Sequence, residues 1–82
     1  DAVKFVNQDT TPHWPATDPH PQHTGYPNSD RSKCKNAERP KMFDACKGLT
    51  KDETFEFIFD EIGTWRYHDH RNPSLTGVIV VK

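Results

Sequence analysis

Residues 63–81 read GTWRYHDHRNPSLTGVIVV and carry the clearest pattern of the chain. Side chains on a strand alternate between its two faces. The imidazoles of His68 and His70 therefore share one face, and Asp69 lies on the other face with the aromatic rings at positions 65 and 67. Asn72-Pro73 predicts a turn, and the β-branched run that ends at residue 81 predicts a return strand. Two histidines at i and i+2 near a strand end are a good beginning for a metal site.

The size and charge of the chain limit the classes of protein to consider. With 82 residues we expect a single domain over residues 1–82 with a small core. The formal net charge is -1, which gives no electrostatic argument for nucleic acid as a partner. No apolar segment approaches the length of a membrane span.

The remaining pattern is that of short, aromatic strands. Residues 2–7 and 53–60 alternate between apolar and polar side chains, with Phe55, Phe57 and Phe59 on one face of the second segment. Strands this short, broken by Gly and Pro, predict an all-β fold, a small antiparallel sandwich or Greek-key barrel.

A proline-rich stretch separates the first two predicted strands. Prolines at 12, 15, 19, 21 and 27 exclude a helix across residues 11–26 and predict a long irregular loop. The loop carries His13, His20 and His23. Such loops in small domains are often functional or held by a ligand; the alternative is a solvated loop whose imidazoles have no role.

The two cysteines, Cys34 and Cys46, allow a disulfide, a copper thiolate or two free thiols. Neither belongs to a CxxC pair and neither has a histidine near it in sequence, which favours the disulfide. A disulfide implies an oxidising compartment, and we therefore expect a periplasmic or extracellular protein.

Two segments resemble the cupredoxin family. Phe5-x-Asn7-x-Asp9 followed by Pro12-His13 resembles the strand that delivers the first copper-ligating histidine. Gly63-x-Trp65-x-Tyr67, a ligand loop and then Leu75-x-Gly77 with its apolar run resemble the last hairpin of that family. The resemblance implies a cupredoxin-like Greek-key sandwich that binds copper.

The same resemblance implies that the blue-copper site is lost. The family's cysteine aligns with Asp69, its second histidine with Asn72 and its axial methionine with Leu75, so only His13 is retained. Without a thiolate the intense blue colour is not expected. Two histidines flank the cysteine in multicopper oxidases and bind a different copper. By that analogy His68 and His70 point away from Asp69, and His20 or His23 folds over to join them.

We therefore predict a histidine-rich, type-2-like Cu(II) site, with zinc or nickel as substitutes. The predicted ligands are His13, His68, His70, His20 and His23, with Asp69 as a ligand or an orienting acceptor. The expected role is copper handling or redox chemistry with a redox or copper-donor partner protein, rather than catalysis. The alternatives are a metal-free scaffold that serves as an interaction module, and a copper enzyme with an open coordination position.

Overall fold

The computed structural model describes residues 2–35 and 41–82. In these ranges the regular elements are five strands and one short 3₁₀ helix. The strands are β1 (Ala2–Val6), β2 (Pro15–Thr17), β3 (Thr54–Ile58), β4 (Gly63–Asp69) and β5 (Asn72–Val81), and the 3₁₀ helix is Arg31–Lys35. None of the helices in the described ranges is long and apolar enough to cross a membrane.

The strands form two antiparallel sheets, which confirms the predicted all-β class. One sheet pairs β1 with β3, and the other has the order β2-β4-β5. The alternation in the sequence places Phe5 opposite Phe55 and Val3 opposite Phe57 in the first sheet. The two sheets meet through aromatic side chains: the ring of Phe5 in the first sheet lies 5.3 Å from that of Tyr67 in the second.

The core is built from aromatic rings. Its buried members are Tyr26, Phe43, Phe57 and Phe59. Tyr26 connects the two sheets, since its ring contacts Phe57 at 5.3 Å and Trp65 at 4.7 Å, both edge to face. Edge-to-face rings add favourable electrostatic contacts to the area that they bury. A chain with few aliphatic side chains therefore still has a packed interior.

Strand β2 is a correction to the irregular loop predicted from the prolines. Pro15 begins the strand, a position where its missing N–H is tolerated. Its carbonyl accepts a hydrogen bond from the amide of Ala45 (2.9 Å), and the amide of Thr17 donates to the carbonyl of Phe43 (2.9 Å). Strand β2 thus lies between β4 and the segment around Phe43, and it fixes the distance between them.

The hairpin of β4 and β5 contains an irregularity next to the histidines. His68 pairs with Thr76, but the next residue, Asp69, pairs with Asn72. The intervening residues 73–75 bulge out of the ladder, and His70 and Arg71 make the turn. A bulge turns side chains away from their regular directions. Here both His68 and Asp69 are buried although they are adjacent in the strand.

A disulfide joins Cys34 to Cys46, with the Cα atoms 5.5 Å apart. This confirms the predicted disulfide and removes the copper-thiolate and free-thiol alternatives. The bond is compatible with an oxidising compartment. It also ties the 3₁₀ helix to the segment 42–45, whose four residues are all buried.

Candidate metal centre

Strands β2 and β4 and the bridged residue Asp44 bring acidic and imidazole side chains to the same face. Ala16 in β2 pairs with His68 in β4 on one side and with Asp44 on the other. Residues opposite each other in a sheet point to the same face. Asp44 and His68 therefore face the same side, with only the methyl group of Ala16 between them.

Four histidines gather on this face: His20, His23, His68 and His70. Each offers one nitrogen, and these nitrogens all lie within 4.8 Å of one another. Bonds of about 2.0–2.1 Å from one metal ion to four imidazoles would place the nitrogens about 3–4 Å apart. The spacing fits a single ion, and this four-histidine cluster could hold one.

His68 shows the clearest need for a ligand. Its Nδ1 lies 2.8 Å from Oδ1 of Asp18 and donates to that carboxylate. Its Nε2 is buried, and no atom of residues 2–35 or 41–82 bonds to it. An unsatisfied polar atom in a protein interior costs about 1–3 kcal/mol. A metal ion would satisfy this nitrogen.

His23 is held from the opposite side. Its side chain is fully buried, and its Nδ1 donates to Oδ2 of Asp44 across 2.7 Å. The other oxygen of Asp44 accepts from Nε1 of Trp14 (2.6 Å) and from the amide of Cys46 (2.8 Å). A carboxylate on the outer nitrogen is the usual partner of a metal-binding histidine, since it fixes the tautomer and the ring orientation.

The backbone of His23 is itself unusual. Its φ angle is 61°, in the left-handed region that residues other than glycine rarely adopt. Its amide donates to the carbonyl of Pro19 (2.8 Å). Such conformations concentrate at functional sites, where the surrounding structure imposes them.

His70 completes the buried side of the cluster. Its amide donates to the carbonyl of Trp14 (2.8 Å), and its ring lies 4.5 Å from the Trp14 ring. Its Nδ1 is 3.0 Å from Nε2 of His23. Desolvation, with the charges of His23, His20 and Arg31, lowers the pKa of His70 to about 4. The ring is therefore neutral at neutral pH, as a metal ligand must be.

His20 is the exposed member. Its ring centroid lies 4.7 Å from that of His70 and 5.4 Å from that of His68. Contact with the cluster partly desolvates the ring, and this, with the neighbouring imidazoles of His68 and His23, lowers the pKa of His20. A proton therefore competes less well for its nitrogens than for those of a free histidine.

His13 and Asp69, which were among the predicted ligands, do not belong to this cluster. Nδ1 of His13 lies 2.5 Å from Oδ2 of Asp69, and its Nε2 lies 3.0 Å from Oδ2 of Asp9. These two hydrogen bonds raise the pKa of His13. Burial opposes ionisation of Asp69, but hydrogen bonds from His13 and from the amides of Trp14 and Arg71 outweigh it and lower the Asp69 pKa.

The alternation along β4 explains this separation. Asp69 points to the face opposite His68 and His70, where it meets His13 and the amide of Trp14 (2.8 Å). The pair His13–Asp69 thus joins the end of β4 to the start of β2. It does not enter the cluster.

The predicted site residues did not include three that support the cluster: Asp18, Asp44 and Trp14. Asp44 follows Phe43 in an irregular segment, and only its pairing with β2 places it beside His23. Its sequence neighbourhood carries no signal of this role. The only sulfurs within the described ranges lie in the disulfide and in the fully buried Met42, which is not part of the cluster.

Comparison of the chain with models of known families, with curated proteins and with solved structures found no match.

Proposed function

We propose that this protein binds one copper(II) ion through His20, His23, His68 and His70 on a cupredoxin-like scaffold. The observation that carries the proposal is the buried Nε2 of His68, which has no hydrogen-bond partner in the described part of the chain and belongs to a cluster of four imidazoles. The expected role is the handling of copper.

The electrostatics of the cluster support a divalent ion. The carboxylates of Asp18 and Asp44 accept from the outer nitrogens of His68 and His23. Two carboxylates beside four imidazoles can compensate the charge of a divalent cation. Without the ion, Nε2 of His68 would have no partner among the described residues, and Nε2 of His23 would bond to Nδ1 of His70.

The donor set supports copper(II) over other ions. Imidazole binds copper, zinc and nickel, and copper(II) has the highest affinity of the divalent first-row metals. The cluster contains no thiolate or thioether of the kind that selects copper(I). Zinc and nickel are expected to bind more weakly at the same place. When bound, the ion would supply one-electron redox capacity or Lewis acidity, and the four rings would hold it.

The scaffold assignment rests on the arrangement of the strands. Two antiparallel sheets meet through an aromatic core, and the last hairpin carries His68 and His70 at its end. The cupredoxin resemblance described above predicts such a hairpin. Asp69, in the position of the family's cysteine, bonds to His13, which fits the loss of the blue site.

Titration of the metal-free protein with copper(II) tests the proposal. We expect one ion per chain, weak visible absorption and a spin-resonance spectrum with splitting from several nitrogens. His68→Gln should lower the affinity by about 100-fold or more, because it removes a ligand whose orientation the protein has already fixed. His13→Gln is the matched control, and it should leave the affinity close to that of the native protein.

Two results would contradict the proposal. One is copper binding no tighter than that of an exposed pair of histidines, which would favour the metal-free interaction module. The other is a larger loss of copper affinity for His13→Gln than for His68→Gln. That result would mean that copper binds on the opposite face of β4.

A further inference from the structure

The four histidines of the cluster differ in how firmly the protein holds them. His23 and His68 are 0% and 2% exposed, and each has a carboxylate on its Nδ1. His70 is half-buried against the ring of Trp14. His20 is exposed, and neither of its ring nitrogens makes a hydrogen bond that the structure of residues 2–35 and 41–82 records.

The backbone on both sides of His20 is held by hydrogen bonds. The amide of Asp18 donates to the carbonyl of Arg66 (3.0 Å) in β4, and the amide of His23 donates to the carbonyl of Pro19 (2.8 Å). Nε of Arg31 donates to the carbonyl of Pro21 (2.7 Å). The chain on both sides of His20 is therefore anchored, while the side chain of His20 is exposed and lies beside the rings of His70 and His68.

We propose that His20 is the exchangeable ligand of the site and that copper is taken up and released on its side. This inference rests on the proposed function and adds the route of exchange. His23, His68 and His70 form a three-histidine base that exists before the metal arrives. His20 closes the solvent side of the site and opens it again by rotation of its side chain.

The exchange is a ligand substitution. One metal–nitrogen bond to His20 breaks while one bond from an external nitrogen donor forms, and no electron is transferred. The partner that fits this chemistry is a protein that offers a histidine imidazole to the open position. The exposure of His20 gives such a donor access that the buried rings of His23 and His68 exclude.

The test compares His20→Ala with His70→Ala in the full chain loaded with one equivalent of copper(II). For His20→Ala we expect an affinity loss of about tenfold or less and a rate of loss to excess chelator that rises about tenfold, since changes in affinity fall mainly on dissociation. For His70→Ala we expect a loss of about 100-fold or more, because that ring is part of the fixed base.

Addition of free imidazole provides the second measurement. Imidazole should restore the native spin-resonance spectrum to copper-loaded His20→Ala and should slow its loss of metal, which a merely structural effect of the substitution would not do. It should restore His70→Ala less well, because the ring of Trp14 packs against that position.

Two outcomes would overturn the inference while leaving the binding of copper at this cluster intact. In one, His20→Ala loses as much affinity as His70→Ala, so that all four ligands are equally fixed. In the other, His20→Ala matches the native protein in spectrum and release rate, so that His20 is no ligand. Failure of the native protein to bind copper would instead overturn the proposed function itself.

Discussion

His23 is the most constrained residue of the cluster. Its ring is fully buried and its backbone is left-handed. Asp44 stabilises the buried ring of His23. Its carboxylate accepts hydrogen bonds from the ring of His23, from the indole of Trp14 and from the amide of Cys46. One acidic side chain thus sets the position of His23 and of the aromatic ring against His70.

At the residue scale we predict that Asp44→Asn lowers copper affinity about 10–100-fold, the usual effect of removing a partner of a metal ligand. The amide can still accept from Trp14 through its oxygen. The NH₂ group of the new side chain faces the N–H of His23. The His23 ring therefore loses its hydrogen-bond acceptor and its fixed tautomer. The measurement is a competition titration against a chelator.

Asp60→Asn is the control for this prediction. Asp60 accepts from the hydroxyl of Tyr26 (3.0 Å) at the other side of the core, and its substitution should leave copper affinity unchanged. Equal affinities for Asp44→Asn and the native protein would show that Asp44 does not orient a ligand.

At the scale of elements, the hairpin of β4 and β5 depends on one glycine. Gly77 pairs with Tyr67, and a Cβ at Gly77 would overlap the ring of Tyr67. The missing side chain lets Tyr67 lie flat across β5 while its ring packs against Phe5.

We predict that Gly77→Ala lowers the free energy of unfolding by about 1–3 kcal/mol, because the new methyl group displaces a packed ring. Chemical unfolding of the metal-free protein measures this change. Thr76→Ala, at the adjacent exposed position, should change stability by about 0.5 kcal/mol or less. A Gly77→Ala protein as stable as Thr76→Ala would mean that Tyr67 does not need this space.

The sequence was most informative where periodicity governs structure. Alternation predicted β1, β3 and the hairpin, and it placed His68 and His70 on one face with Asp69 on the other. It did not predict β2, because proline content outweighs strand propensity in a three-residue segment. Asp44 lies beside β2 through its pairing with Ala16, and His13, just before β2, meets Asp69 at the end of β4. Long-range pairing of this kind leaves no local signal.

At the scale of the whole molecule, protonation of His70 and protonation of His13 change the stability of the fold in opposite directions. The pKa of His70 is lowered to about 4 by desolvation and neighbouring charge, so protons favour the unfolded chain between about pH 6.5 and pH 4. The pKa of His13 is raised by Asp69 and Asp9. The stability that His13 contributes is fully present below about pH 6.5, and it is lost as the pH rises through the raised pKa of His13.

We therefore predict that the metal-free protein is most stable near pH 6.5 and less stable on both sides. Thermal unfolding in the presence of a chelator, from pH 4.5 to pH 8.5, measures this profile. His70→Gln should reduce the slope on the acidic side, while His13→Gln should flatten the alkaline side. Stability that continues to rise from pH 6.5 to pH 8.5 would contradict the assignment of His13 as a charged, doubly bonded imidazole.

The most direct measurement is a crystal structure of the protein with one equivalent of copper(II), with anomalous scattering recorded at the copper edge. We predict one peak per chain, bonded to nitrogens of His20, His23, His68 and His70. A peak beside His13 and Asp69 instead, or four ordered rings with no peak between them, would contradict a copper site at this cluster.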